Sequence, residues 1–342
     1  MPNPPEKSLL DIPAKADLKS VLAGPLEKLT SFLSQQVDDF EEQIRFLVRT
    51  CLQNSGKRIR PSLVFLSGDT THPETLTKLV RLSAVVEMVH IATLVHDDIL
   101  DGANKRRGQP TICAEYGEHT AVLLGDALFS HALHMASQFE TVEVCRFVSR
   151  STRRVCSGEI LQTFRRGDWK IPMQDYLEML DMKTGELFSV STFLGGKLSG
   201  YSHEVCNLLK NFGSQLGIAY QAYDDLTDFI GDESKIGKTL GTDLVTGKAT
   251  LPLIQLFQLK NNHLTGEMTE ALKSGNRSNV RRILLDNGIY DAGINFVSSL
   301  WIEAVQTLAL IPDELLAKRH LASISQLLRE KLDELANQQV SV

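Results

Sequence analysis

From Leu82 the apolar positions Leu82, Val85, Val86, Val89, Ile91/Ala92 and Val95 recur at steps of three and four, the period of a helix and not the alternation of a strand. Similar stripes run through 119–139, 144–163, 174–198, 205–229, 251–258, 280–285, 291–310 and 315–335, and no strand is expected anywhere. Prolines leave room for long helices: of 11, four lie in the first thirteen residues, and between Pro61 and Pro252 only Pro73, Pro110 and Pro172 interrupt. Gly102 follows Asp101, Gly200 closes the stripe that begins near 174, and Gly231 follows Ile230, so each is expected to stop a helix. No Pro/Ser-rich linker or fixed-period repeat divides the chain. The expectation is an all-α fold in one domain over 16–342, behind a flexible leader over 1–15.

Composition narrows the class. The 342 residues carry 36 Lys+Arg against 42 Asp+Glu, a net charge of −6, which argues against a generic nucleic-acid binder. With 42% apolar and 23% charged residues the chain can bury a large core. Five cysteines without CxxC spacing fit neither a disulfide framework nor a zinc site, and the start reads as neither signal nor transit peptide. The uncharged stretches are too short for a membrane span, so a cytoplasmic protein without a transmembrane segment is expected.

Two acidic motifs stand out at the ends of apolar stripes, HDDILD (His96 to Asp101) and YDDLTD (Tyr223 to Asp228). On a helix Asp97 and Asp101 lie one turn apart on one face, with Asp98 off to the side, and Asp224 and Asp228 repeat the pattern. Like charges at this spacing, near a helix C-terminus, cost stability unless cations occupy them. Mg2+ suits such oxygen ligands and a bound phosphate, so the pair predicts two acidic walls clamping several Mg2+ ions on a diphosphate.

Basic clusters follow the same logic. Lys57, Arg58 and Arg60 in GKRIRP, Lys105, Arg106 and Arg107 just after the first acid motif, Lys183-Thr184, and Lys238 and Lys248 flanking Asp243 offer forks and point charges to phosphate. The stretch GDESKIGKT has one residue too many between its glycines for a phosphate-binding P-loop. His96 beside Asp97 lacks the further ligands of a metal phosphohydrolase, and His131 and His134, like Met88, Met135 and Trp301, read as packing or surface residues.

GKRIRP, DDILD with RRGQPT, GEILQ, KTGELF, YQAYDDLTD and GKTLGTDLVTGKATLP stand in the order and approximate spacing of the trans-polyprenyl diphosphate synthases, and the chain resembles that family over about 56–252. The resemblance implies the all-α isoprenoid synthase helical bundle with a central hydrophobic cavity. It also implies a homodimer, and a reaction joining isopentenyl diphosphate to an allylic diphosphate with about three Mg2+ ions. It implies Mg2+ ligation by Asp97, Asp101 and Asp224, and a catalytic set of Asp97, Asp98, Asp101, Asp224, Asp225, Asp228, Lys183 and Lys238. It places Lys57, Arg60, His90 and Arg107 at the isopentenyl diphosphate. Arg106, Lys183, Thr184, Gln221, Lys238 and Lys248 fall at the allylic diphosphate. Gly185, where the family commonly has alanine, and Ser55 before Gly56 are mild departures.

In this family the product grows along an apolar tunnel beneath the first acid motif. Here Thr93 and Ala92 lie one turn before Asp97 and Val89 two turns before, none of them aromatic. Ala132, Met135, Ala136 and Phe139 are candidates for a deeper floor. A tunnel left open this way implies a long product, about seven to ten isoprene units, and transient membrane contact when it is released. The alternatives are a farnesyl or geranylgeranyl diphosphate synthase, a class I terpene cyclase, which would not need GKRIRP or the second acid motif, and a noncatalytic subunit of a heteromeric synthase, in which acid-motif residues should be lost.

Overall fold

The computed structural model describes residues 17–53, 56–230 and 242–339. In chain order the helices are α1 (Leu18–Gln36), α2 (Arg45–Gln53), α3 (Ile59–Ser67), α4 (Pro73–Leu100), α5 (Ile112–Tyr116), α6 (Glu118–Ser137), α7 (Val142–Phe164) and α8 (Met173–Leu180). They continue with α9 (Glu186–Leu198), α10 (His203–Ile230), α11 (Thr242–Thr246), α12 (Leu251–Gln258), α13 (Asn262–Lys273), α14 (Arg277–Asp286), α15 (Ile289–Ala309) and α16 (Leu316–Gln339). The expected leader over 1–15 and the expected helix stop at Gly231 lie outside the described residues.

Each long apolar stripe of the sequence became a helix, with one interruption. The stripe over 174–198 is broken by a π-helical turn, Asp181–Gly185, between α8 and α9. Among the described residues, the expectation of no strand fails only at a two-residue antiparallel ladder, Lys105–Arg106 against Gln109–Pro110. Arg107 (φ 53°) and Gly108 (φ 79°) both take positive φ, the backbone of a tight hairpin turn.

Contacts divide the chain into two compact units, with boundaries inside α7, α9, α10, α15 and α16. The first comprises 1–153, 187–213 and 305–324. Its centre is α4, buried on most sides from Leu79 to Val95 and packed most extensively on α6 and then α3. A helix apolar nearly all round must be enclosed, and each large aliphatic side chain it buries contributes about 1.5–3 kcal/mol before entropy. Among the described residues α4 alone is long and apolar enough to cross a membrane, but 72% of that stretch is buried inside the protein, as in a core helix. A Cβ at Gly195 would overlap Ser67 and sit 2.6 Å from the Val64 carbonyl, so glycine lets α9 approach α3. The helix stop at Gly102 (φ 59°) leaves Asp97 and Asp98 in the last turn of α4 and Asp101 as its C-cap.

The second unit comprises 154–186, 214–304 and 325–342. It contains α8, the π turn, the C-terminal half of α10 and helices α11 to α14. Trp301 Nε1 donates to the Ser325 carbonyl (2.9 Å), with the Arg329 guanidinium over its ring, so α15 and α16 are tied together.

Candidate active site

In the first unit, the middle aspartate of the first acid motif is committed to a partner within the protein. Asp98 is 6% exposed, and its Oδ1 accepts from Arg106 Nε (2.9 Å) and NH2 (2.7 Å). Arg106 stands on the hairpin that follows α4, which explains why the chain needs that tight turn. Burial raises the Asp98 carboxyl above the ordinary range, and the Arg106 hydrogen bond and charge oppose the rise. Asp97 and Asp101 are half-buried at the same helix end.

A basic cluster surrounds a buried acid in the same unit. Glu87 is 2% exposed; burial raises its carboxyl, against the pull of Arg60, Arg58 and Arg107. His90, one turn on, is held well below its ordinary value by burial and then by Arg60, Arg106 and Arg107, and is neutral at pH 7. Arg60 lies over the Phe188 ring at 5.3 Å, and Arg58, in the left-handed region (φ 48°), reaches Thr30 Oγ1 at 2.5 Å. A Cβ at Gly56 would overlap the Arg107 guanidinium, so glycine there makes room for the arginine. Three of the four residues expected at the isopentenyl diphosphate, Arg60, His90 and Arg107, therefore form one electrostatic group, with Lys57 exposed beside it.

The expected tunnel residues also belong to the first unit. Val89, Ala92, Ala132, Met135 and Ala136 are buried in the α4 and α6 layer. Thr93 is half-buried, with Oγ1 donating to the His90 carbonyl at 2.6 Å. Phe139 is covered by the Arg81 guanidinium at 5.3 Å.

In the second unit the middle aspartate of the other acid motif is again committed, but to neutral donors. Tyr176 Oη donates to Asp225 Oδ2 (2.8 Å) and Gln221 Nε2 to Oδ1 (2.9 Å). Gln221 Oε1 in turn accepts from Thr184 Oγ1 (2.8 Å). Burial pushes Asp225 up to about 6. Burial, then Asp225 and Asp228, pushes Asp243 to about 7, with Lys248 pulling the other way. Asp228 is also buried, and its Oδ2 accepts from the Asp243 backbone N–H at 3.2 Å.

Lys183 and Thr184 sit in the π turn, whose extra residue per turn re-aims side chains and recurs at functional sites. Lys183 Nζ pairs with Glu159 (2.6 Å) and donates to Gln162 (2.9 Å). Gly185 is no neutral departure: a Cβ would stand 2.7 Å from Asp181 Oδ1 and 3.2 Å from the Ser214 carbonyl. A cavity of about 30 Å3, room for a water or two, is lined by Gln162, Lys183, Gln221, Asp225, Asp243 and Lys248 among others. Of the set expected at the allylic diphosphate, Lys183, Gln221 and Lys248 thus line one cavity, Thr184 bonds to its wall, Arg106 belongs to the first unit, and Lys238 lies outside the described residues.

Sequence reasoning missed Glu87 and Tyr176. A lone carboxylate within the apolar α4 stripe, three residues before His90, was a usable signal for Glu87. An aromatic on an apolar stripe reads as core, and nothing local marked Tyr176.

Among the described residues no three His, Cys, Asp or Glu side chains converge into a metal cage. Mg2+ does not require one, because it binds through one or two carboxylates and keeps water and substrate phosphate as its other ligands. Half-buried Asp97 and Asp101, one turn apart, and half-buried Asp224 fit that use.

The all-helical frame with its two aspartate-rich helix ends is the arrangement of an isoprenoid synthase, and the comparisons with known proteins make it that of a prenyltransferase. A family model described as polyprenyl synthetase matches residues 41–285, and the chain belongs to that family. It is 35% identical over 249 residues to heptaprenyl diphosphate synthase component 2 of Bacillus subtilis, covering 70% of this chain and 71% of that one. It is 35% identical over 247 residues to geranylgeranyl diphosphate synthase of Methanosarcina mazei, covering 69% and 76%. The crystal structure of heptaprenyl diphosphate synthase from Staphylococcus aureus superposes with a TM-score of 0.82 at 27% identity, covering 93% of this chain and 99% of that one.

Proposed function

We propose that the protein condenses isopentenyl diphosphate with an allylic diphosphate to give a long all-trans polyprenyl diphosphate, about seven to ten isoprene units, in an apolar tunnel. The observation that carries this reading is that each acid motif joins a buried, hydrogen-bonded middle aspartate, Asp98 or Asp225, to half-buried carboxylates suited to Mg2+, Asp97 and Asp101 in the first and Asp224 in the second. Bound Mg2+ would neutralise the charge that develops on the leaving diphosphate. Lys183, Lys248, Thr184 and Gln221 hold the allylic diphosphate and stabilise it as the C–O bond breaks. Lys57, Arg60, His90 and Arg107 hold isopentenyl diphosphate, whose alkene attacks the allylic cation. A proton then leaves to the departing diphosphate. His90, neutral, can donate a hydrogen bond to isopentenyl diphosphate without adding charge.

Small buried residues at 89, 92, 132 and 136 support the long product, and relatives named for seven and for four isoprene units keep chain length a matter for experiment. We place the enzyme in the cytoplasm as a homodimer that meets the membrane only to release product. A relative named as a component of a heptaprenyl synthase supports a second reading, in which this chain is the catalytic component of a heteromer. The test is incubation with Mg2+, labelled isopentenyl diphosphate and farnesyl diphosphate, with the lipid sized by mass spectrometry. Products of about seven to ten units are expected. Termination at farnesyl or geranylgeranyl length would overturn the open tunnel, and no elongation by the chain alone would favour the heteromer. Ala92→Phe is expected to shorten the product without abolishing turnover, and an unchanged length would remove position 92 from the tunnel wall.

A further inference from the structure

A linear chain of three hydrogen bonds runs through the second unit and joins segments that the sequence keeps apart, α8, the π turn and α10. Tyr176 Oη donates to Asp225 Oδ2 (2.8 Å), Gln221 Nε2 donates to Asp225 Oδ1 (2.9 Å), and Thr184 Oγ1 donates to Gln221 Oε1 (2.8 Å). With Asp225 ionised, the three donors all point toward it along the chain. A carboxylate that accepts at both oxygens has one rotamer, and a glutamine bonded at both ends of its amide has one orientation. Tyr176 is 1% exposed and lies behind the cavity that Gln221, Asp225, Lys183 and Lys248 line. It is out of reach of a ligand in that cavity and can act on one only through Asp225.

We infer that Tyr176 is a positioning residue for diphosphate and Mg2+ in the second unit. Its hydroxyl holds Asp225 against Gln221, which fixes the Gln221 amide with its second Nε2–H left for the diphosphate and keeps Asp225 from competing with neighbouring Asp224 for the cation. The inference rests on the reaction proposed above for the identity of the ligand. Its geometry depends only on the three bonds.

The test uses inorganic pyrophosphate as the probe, with calorimetry at a series of Mg2+ concentrations on wild type, Tyr176→Phe, Asp225→Asn and the double variant. Phenylalanine fills the same volume, and intact thermal melting confirms the fold. Tyr176→Phe is expected to raise the Mg2+ concentration for half-maximal pyrophosphate binding about tenfold, the size of one lost hydrogen bond to a charged group. In the Asp225→Asn background the same change is expected to shift it by less than about twofold, because the partner is already altered. In turnover assays KM for the allylic diphosphate rises while KM for isopentenyl diphosphate stays put. Equal shifts in both backgrounds, or none in either, would overturn the inference. If Tyr176→Phe does not fold, Gln221→Met probes Asp225 from its other oxygen, with the same expected shift and the same contrary outcome. A wild type that binds pyrophosphate with Mg2+ but elongates nothing would count against the proposed reaction and leave the positioning role standing.

Discussion

The two acid motifs have the same sequence pattern and solve the same problem with different chemistry. In the first unit the buried middle aspartate, Asp98, is neutralised by a guanidinium eight residues away, on a hairpin that the next few residues build. In the second, buried Asp225 is held, among the described residues, by a phenol 49 residues away and an amide one turn away. Charge neutralisation suits a motif beside a loop, where an arginine can enter from solvent. Neutral donors serve where the packed neighbours are a phenol and an amide, although both aspartates are equally buried, at 6% exposure. Burial raises the acid in both cases, and in the second unit it drives Asp225 to about 6 and its neighbour Asp243 to about 7 against the pull of Lys183 and Lys248 respectively.

The sharpest way to break the comparison is to remove the half-buried carboxylates proposed to serve Mg2+. Asp97→Asn, Asp101→Asn and Asp224→Asn are each expected to lower kcat about a thousandfold with the fold intact, as when a transition-state charge stabiliser is lost. Steady-state incorporation of labelled isopentenyl diphosphate, beside circular dichroism, reads both. Activity within tenfold of wild type for any of the three would remove that carboxylate from the proposed Mg2+ site.

Stability separates the two locks. Arg106→Gln leaves Asp98 buried beside a weaker donor and should cost about 2 kcal/mol, below the value for a fully enclosed pair because the guanidinium is 38% exposed. Tyr176→Phe removes one hydrogen bond to Asp225 and should cost about 1 kcal/mol. Urea midpoints measured at one pH give the order, and the reverse order would mean that the neutral lock is the stronger.

The smallest expected effect concerns the basic group of the first unit. His90 binds a proton less readily in the folded chain than in the unfolded one, so below about pH 6.5 the unfolded state takes up a proton that the folded state refuses. Its contribution to stability is therefore complete above that pH and is lost on acidification, by at most about 1.4 kcal/mol per pH unit. Raised acids such as Glu87 act in the opposite sense, so the quantity to measure is the difference between wild type and His90→Gln in urea midpoints from pH 7 to 5. The variant should lose less stability over that range, and identical slopes would show that His90 titrates normally.

Legibility in the sequence followed the range of the interactions. Stripes such as 205–229 and the helix-end aspartates depend on spacing within a helix, and they read correctly. α1 escaped because only Leu29 and Leu33 are buried along it, too few to make a stripe. α3 escaped for the opposite reason: 61–67 is buried throughout and shows no period. The basic residues were visible as types, but the pairing of Arg106 with Asp98 depends on two consecutive positive-φ residues, one of them a non-glycine that no turn rule favours. The π turn at 181–185 and the Tyr176 bond arise from packing between segments far apart in sequence, and no local pattern encodes either.

The account's central claim is Mg2+-dependent chain elongation that draws on both acid motifs, and the most direct measurement is titration of Mg2+ into wild type, Asp97→Asn and Asp224→Asn with labelled isopentenyl diphosphate and farnesyl diphosphate. Wild type should make elongated polyprenyl diphosphate only with the metal, and both variants should make almost none at any Mg2+ concentration that saturates wild type. Elongation without divalent metal, or full activity in either variant, would contradict it.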